Sequence, residues 1–236
     1  MFYIKSAILK IIQIASETLK GQEPVEKTLS VLELIRSGGL AGQLIIMILF
    51  VLLIVASYIY FERLFTLKSA AKIDVNFMNQ IKDQVANGNI EAAQILCTQE
   101  DSPVSRLIGK GVSRIGKPLE DINTAIENAG KLEVYGLEKN VSVLATISGA
   151  APMIGFLGTV IGMIVAFHEM ASAGGNIDIE MLSKGIYTAM VTTVAGLVVG
   201  IIAYIAYNVL VTKVEKVVFL LETTTTDFMD LLHNNK

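Results

Sequence analysis

Of the 236 residues, 53% are hydrophobic and only 17% are charged, whereas soluble domains carry roughly a quarter charged residues, so a wholly water-soluble fold is a poor match. The net charge of -3 offers nucleic acid no electrostatic footprint. The single cysteine, Cys97, excludes an internal disulfide and a cysteine-based zinc cluster, and His168 and His233 lie far apart. With no Gly-rich phosphate loop, nucleophile elbow or metalloprotease helix, no cofactor, no metal and no enzymatic activity are expected.

In chain order, residues 1–36 carry apolar positions at helical spacing (Phe2, Ile4, Ile8, Ile11, Ile12, Ala15 and Leu19) with lysines on the other side. This predicts a helix lying along a membrane surface, with a frayed soluble helix as the competing reading. Lys5 and Lys10 interrupt the apolar residues, which argues against a signal peptide. Three uncharged stretches follow, at 37–61, 141–167 and 185–212. Each exceeds the ~20 residues that cross a hydrocarbon core as a helix. Three buried core helices of such length would be unusual in a soluble chain of this size. The predicted organisation is a first span at 37–62, a helical segment at 63–140, a second span at 141–168, a short loop at 169–184, a third span at 185–212 and a helical tail at 213–236.

Orientation follows from the basic residues. The segment between the first two spans holds Arg63, Lys68, Lys72, Lys82, Arg106, Lys110, Arg114, Lys117, Lys131 and Lys139. From His168 to Ser183 there is no Lys or Arg, only Glu169, Asp178 and Glu180. The large segment is therefore expected inside, with the N-terminus outside and the C-terminus inside. Within it, Asp74 can cap a helix ending near Asn87-Gly88, and Ser102-Pro103 opens another. Pro118 opens a long helix expected to run through Glu133 and Glu138 straight into the second span. In the tail, Val217, Leu220, Leu221, Phe228 and Leu231 mark an inward face.

At helical spacing the second span shows a face of small or polar residues: Ser148, Pro152, Gly155, Thr159, Gly162 and Ala166. The third shows another: Gly185, Ala189, Thr193, Gly196, Gly200 and Ala203. Gly158-xxx-Gly162 and Gly196-xxx-Gly200 are patterns that let helix backbones approach closely, and packing accounts for most of these glycines. Thr159, Thr188, Thr192 and Thr193 are different. Each alone is best read as bonding back to its own helix, whereas the set suits a polar lining. Thr159 lies eight residues before Phe167, and Thr193 eight residues after Gly185. At ~1.5 Å per residue both sit ~12 Å from the outer surface, at one level on antiparallel helices. None of the three uncharged stretches contains Asp, Glu, Lys or Arg, so a proton relay needs a carboxylate from a partner.

The run Ala151-Pro152-Met153-Ile154-Gly155-Phe156-Leu157-Gly158-Thr159-Val160-Ile161-Gly162-Met163 resembles the second-span signature of the ExbB/TolQ/MotA proton-channel family. Gly185 to Leu197 resembles the family's third-span motif, followed by the typical Ala206-Tyr207-Asn208, and Glu62-Arg63 closes the first span as it often does there. The match covers all three spans in order and is closest to the ExbB/TolQ branch, since the large segment is short for a flagellar MotA. The resemblance implies an all-α membrane protein in a homopentameric ring in the bacterial inner membrane, with its N-terminus periplasmic and its C-terminus cytoplasmic. It further implies an ExbD- or TolR-like single-span partner whose membrane Asp carries the proton, a TonB-like protein as a further partner, and Thr159 and Thr193 as pore-facing. Many ExbB and TolQ proteins place a Glu where this chain has Thr188, which leaves proton and sodium both open. A gliding-type stator and a membrane scaffold that packs only through its small-residue faces are the alternative functions.

Overall fold

The computed structural model describes residues 39–72, 75–172 and 179–234, and among these all regular structure is α-helix. The helices are α1 (Gly39–Ala70), α2 (Val75–Ala86), α3 (Ile90–Gln99), α4 (Pro103–Val112), α5 (Leu119–Glu138), α6 (Val141–Ser172) and α7 (Ile179–Asn234). The surface helix expected at residues 1–36 and the Asp74 cap lie outside the described residues.

Three helices are long and apolar enough to cross a membrane; they contain the second and third uncharged stretches and the described part of the first, from residue 39. In hydrocarbon the backbone must satisfy its own hydrogen bonds, which uninterrupted helix does. Their outward faces are apolar: Phe50 on α1, Met153 and Phe156 on α6, and Met190 and Val194 on α7 are all exposed in the single chain. Helix continues into both ends of the expected 169–184 loop, to Ser172 on one side and from Ile179 on the other.

Outside the spans, α2, α4 and α5 pack against α7, and α3 packs on α2 and α4. Leu107, Ile108, Val112, Ile126 and Phe228 are fully buried there. Gly111 admits this packing, because a Cβ on it would lie 2.7 Å from both Ile126 Cδ1 and Phe228 Cε1. Helix α4 starts as the sequence predicts. Ser102 caps it, Pro103 occupies its first position, and Ser105 completes a reciprocal capping box. Arg106 then grips Glu133 on α5 through Nε and Nη2, both at 2.8 Å. These hydrogen bonds and the Glu133 charge hold the guanidinium pKa above its ordinary value against a smaller desolvation effect. Within the run Thr223 to Thr226, which is helical, each hydroxyl donates to the carbonyl four residues back.

Burial pushes the Cys97 thiol up to about 11. Near pH 8 only about one part in a thousand is then thiolate, the reactive form. Iodoacetamide is expected to label Cys97 far more slowly in the folded protein than after denaturation, and faster as pH rises towards 10. Equal labelling rates in both states would contradict this burial.

One expectation is corrected. The helix from Pro118 does not run straight into the second span. It ends at Glu138, and α6 begins at Val141. Between them Asn140 has φ 64°, a left-handed conformation that only Gly, Asn and Asp adopt readily. Asn140 lies past the end of α5, so the Gly136 carbonyl is instead met by Arg63 Nη1 of α1 at 3.1 Å. Arg63 is 7% exposed and pairs with Glu62 at 2.6 Å. The composition around the break is ordinary for a helix. Its cause is the left-handed residue together with a cation from a distant helix that satisfies the freed carbonyl. Asn140→Gly is expected to be neutral in thermal unfolding, whereas Asn140→Val should cost about 1–2 kcal/mol. Equal melting temperatures for the two variants would show that the break carries no strain.

Candidate functional site: the seam between α6 and α7

The small-residue faces of α6 and α7 meet each other within one chain. Their partners run in opposite directions along the sequence: Ala166 against Gly185, Gly162 against Ala189, Gly155 against Gly196 and Pro152 against Gly200. The helices are therefore antiparallel and in backbone contact. A Cβ on Gly196 would lie 2.6 Å from the Ala151 carbonyl oxygen and 2.8 Å from Gly155 Cα. One on Gly155 would lie 2.8 Å from the Thr192 carbonyl oxygen, and one on Gly158 2.7 Å from Thr192 Cβ. Pro152 removes the N–H that would reach Ser148, and the Ser148 carbonyl oxygen lies 3.1 Å from the Cβ position of Gly200.

The threonines separate into two groups. Thr159 and Thr193 stand opposite one another, with hydroxyl oxygens 2.5 Å apart and partly exposed. Both hydroxyls also approach the Gly155 carbonyl, Thr193 at 3.2 Å and Thr159 at 3.5 Å. Thr192 is fully buried, donating to Ala189 O at 2.8 Å with a longer contact to Gly155 O at 3.4 Å. Thr188 is 8% exposed, and its methyl lies 3.1 Å from where a Cβ on Gly42 of α1 would stand. Thr188 and Thr192 thus lie inside the packing of this one chain, whereas Thr159 and Thr193 form a hydroxyl pair at the edge of the seam. Sequence reading missed Arg63 as a buried cation. The signal for it was the Glu62-Arg63 pair that closes the first uncharged stretch.

A hydroxyl both donates and accepts, so the pair can pass a hydrogen bond along. With the Gly155 carbonyl it also presents three oxygens of the kind that hard cations prefer. Among the described residues no cluster of His, Cys, Asp or Glu could hold a metal ion.

Residues 99–223, more than half of the chain, match the MotA/TolQ/ExbB proton channel family. The chain belongs to that family. The matched region contains both faces of the seam, the hydroxyl pair, and α4 and α5 of the extramembrane bundle. Among relatives of this family member, a Methanothermobacter thermautotrophicus protein described as an ExbB homolog is 28% identical over 187 residues, covering 79% of this chain and 64% of that protein. The Tol-Pal system protein TolQ of Haemophilus influenzae is 28% identical over 210 residues, covering 80% of this chain and 87% of its own length. The biopolymer transport protein ExbB of Helicobacter pylori is 42% identical over 77 residues, covering 33% of this chain and 52% of that protein. The chain thus spans less than two thirds of the first and third of these relatives. The MotA/TolQ/ExbB assignment and the three apolar helices together make it a multi-pass membrane protein.

Proposed function

We propose that this chain is the channel-forming subunit of an ion-driven stator in a bacterial inner membrane, of the ExbB/TolQ type. The observation that supports this most is the Thr159–Thr193 hydroxyl pair. It lies partly exposed at the seam of two helices whose uncharged stretches contain no Asp, Glu, Lys, Arg or His. Such a seam can line an ion path but cannot supply a proton carrier. The carboxylate then comes from a second protein, an ExbD- or TolR-like single-span chain. In this reading five copies of the present chain surround two copies of the partner, and ion flow moves the partner against the ring. That motion energises transport or envelope work at the outer membrane, with a TonB-like protein as a further link. The chain itself makes and breaks no covalent bond. Its N-terminus is periplasmic and its C-terminus cytoplasmic, in keeping with the basic residues between the first two spans.

A second reading is a membrane scaffold. It draws on the hydrogen bonds that Thr159, Thr192 and Thr193 make within the chain and on the burial of Thr192. A sodium-driven or gliding-type stator would use the same three oxygens for a larger ion.

The test is native mass spectrometry of the full chain, extracted in mild detergent with the product of the neighbouring gene, followed by ion flux in liposomes. Five copies holding two copies of a small single-span protein with a membrane Asp, and conducting protons, is the expected result. A monomer or dimer without such a partner would sink the shared-pore reading.

A further inference from the structure

The break at Lys139-Asn140 opens a groove of about 640 Å³ between the α5–α6 junction and α7, within the ~300–1,000 Å³ range of small-molecule sites. It sits where the chain passes from apolar to charged sequence. Val141 begins α6 and the second uncharged stretch, and on α7 the lining residues run from Tyr207 to Glu215, across the end of the third stretch at 212. Its lining changes character along the same direction. Tyr207, Val211 and Val214 lie on the apolar side, and Glu138, Lys139 and Glu215 on the charged side.

Those three charged side chains are exposed, and none has an ion-pair partner among the described residues. Unpaired charges of both signs, gathered around one groove at the edge of the apolar zone, define the ligand chemistry. It must carry a negative group for Lys139, a positive hydrogen-bond donor for Glu138 and Glu215, and an apolar remainder for the valines. Tyr135, 76% exposed, lines the same groove. An amphipathic ring suits the headgroup level of a bilayer.

We propose that this groove binds the headgroup of an ethanolamine phospholipid, its phosphate at Lys139 and its primary ammonium between Glu138 and Glu215. Two carboxylates disfavour a headgroup that is only anionic. A quaternary choline carries the charge but donates no hydrogen bond. The apolar floor takes the start of the acyl chains, which favours a lipid over a free phosphoamine.

The experiment is lipid retention by the full chain in mild detergent. The protein is incubated with equimolar phosphatidylethanolamine, phosphatidylglycerol and phosphatidylcholine, and retained lipid is counted by native mass spectrometry. About fivefold preference for phosphatidylethanolamine over the other two is expected. Glu138→Gln with Glu215→Gln should abolish that preference, and Lys139→Gln should lower retention of phosphatidylethanolamine and phosphatidylglycerol alike. The side chains are exposed, so unchanged helicity by circular dichroism is expected for all three substitutions. Equal retention of the three lipids would overturn the proposal, as when another copy of the chain covers the groove. A preference that survives the double carboxylate variant would overturn it as well. Displacement of the lipid by soluble O-phosphoethanolamine at equal concentration would instead make the site one for a soluble ligand and overturn the lipid assignment.

Discussion

Gly196→Ala is expected to lower the melting temperature in detergent by about 10 °C, corresponding to about 3 kcal/mol. The added methyl would stand 2.6 Å from the Ala151 carbonyl oxygen and 2.8 Å from Gly155 Cα. Both are main-chain atoms in the middle of a helix, so no rotamer change can relieve the clash and the helices must move apart. Their separation also weakens the contacts at Gly155, Gly158 and Gly200, because small-residue packing depends on close approach along the whole seam. Gly149→Ala is the matched control. It lies on α6, the helix that Gly196 faces, is exposed, and a Cβ there meets nothing within 4 Å. That variant should melt at the wild-type temperature or slightly higher, since alanine is the better helix former. Similar melting temperatures for the two variants would mean that backbone contact at the seam contributes nothing.

The second large effect is on ion movement. Thr159→Val and Thr193→Val each replace a hydroxyl by a methyl of nearly equal size, so the helices keep their spacing. What is lost is the 2.5 Å hydroxyl pair and, for Thr193, its bond to Gly155. An ion or proton crossing that level then meets an apolar surface, at a cost of about 1–3 kcal/mol. Flux through the partner-bound assembly should fall about tenfold to a hundredfold. Thr159→Ser keeps the hydroxyl and should conduct nearly as the parent does. Thr192→Val serves as the positional control, because Thr192 is fully buried inside the chain. A scaffold would show no change in flux for any of the four. Equal losses for Thr159→Val and Thr192→Val, with folding intact, would place the path away from the hydroxyl pair.

Much of this arrangement was legible in the sequence because it depends on period and composition. Three uncharged stretches separated by charged ones define three apolar helices. Counting eight residues from each outer end put Thr159 and Thr193 at one level, and the structure brings their hydroxyls together. The Ser102-Pro103 start of α4 was readable because capping is a local interaction. Three features were not legible, each for a tertiary reason. The break at Asn140 depends on a single positive φ, whose freed carbonyl Arg63 satisfies from 73 residues away in sequence. The division of the threonines into buried and edge pairs depends on the rotation of α6 about its own axis relative to α7, and a stripe 100° wide does not fix that. The groove beside Lys139 is lined by residues of three helices and the break, within 135–142 and 207–215, which no periodicity in the sequence brings together.

The two helices that leave the glycine seam differ mechanically. Helix α6 passes to α5 through the joint at Asn140, whereas α7 continues without interruption for 56 residues, roughly 84 Å. From Gly196 to its last turn α7 is a lever arm of about 57 Å, so a tilt of about 5° at mid-membrane sweeps its far end by roughly 5 Å, half a helix diameter. Phe228 and Val217 tie that end to the bundle core. A displacement too small to open the seam is therefore amplified at the far end of a rigid crank, while the jointed link beside it takes up the change in angle.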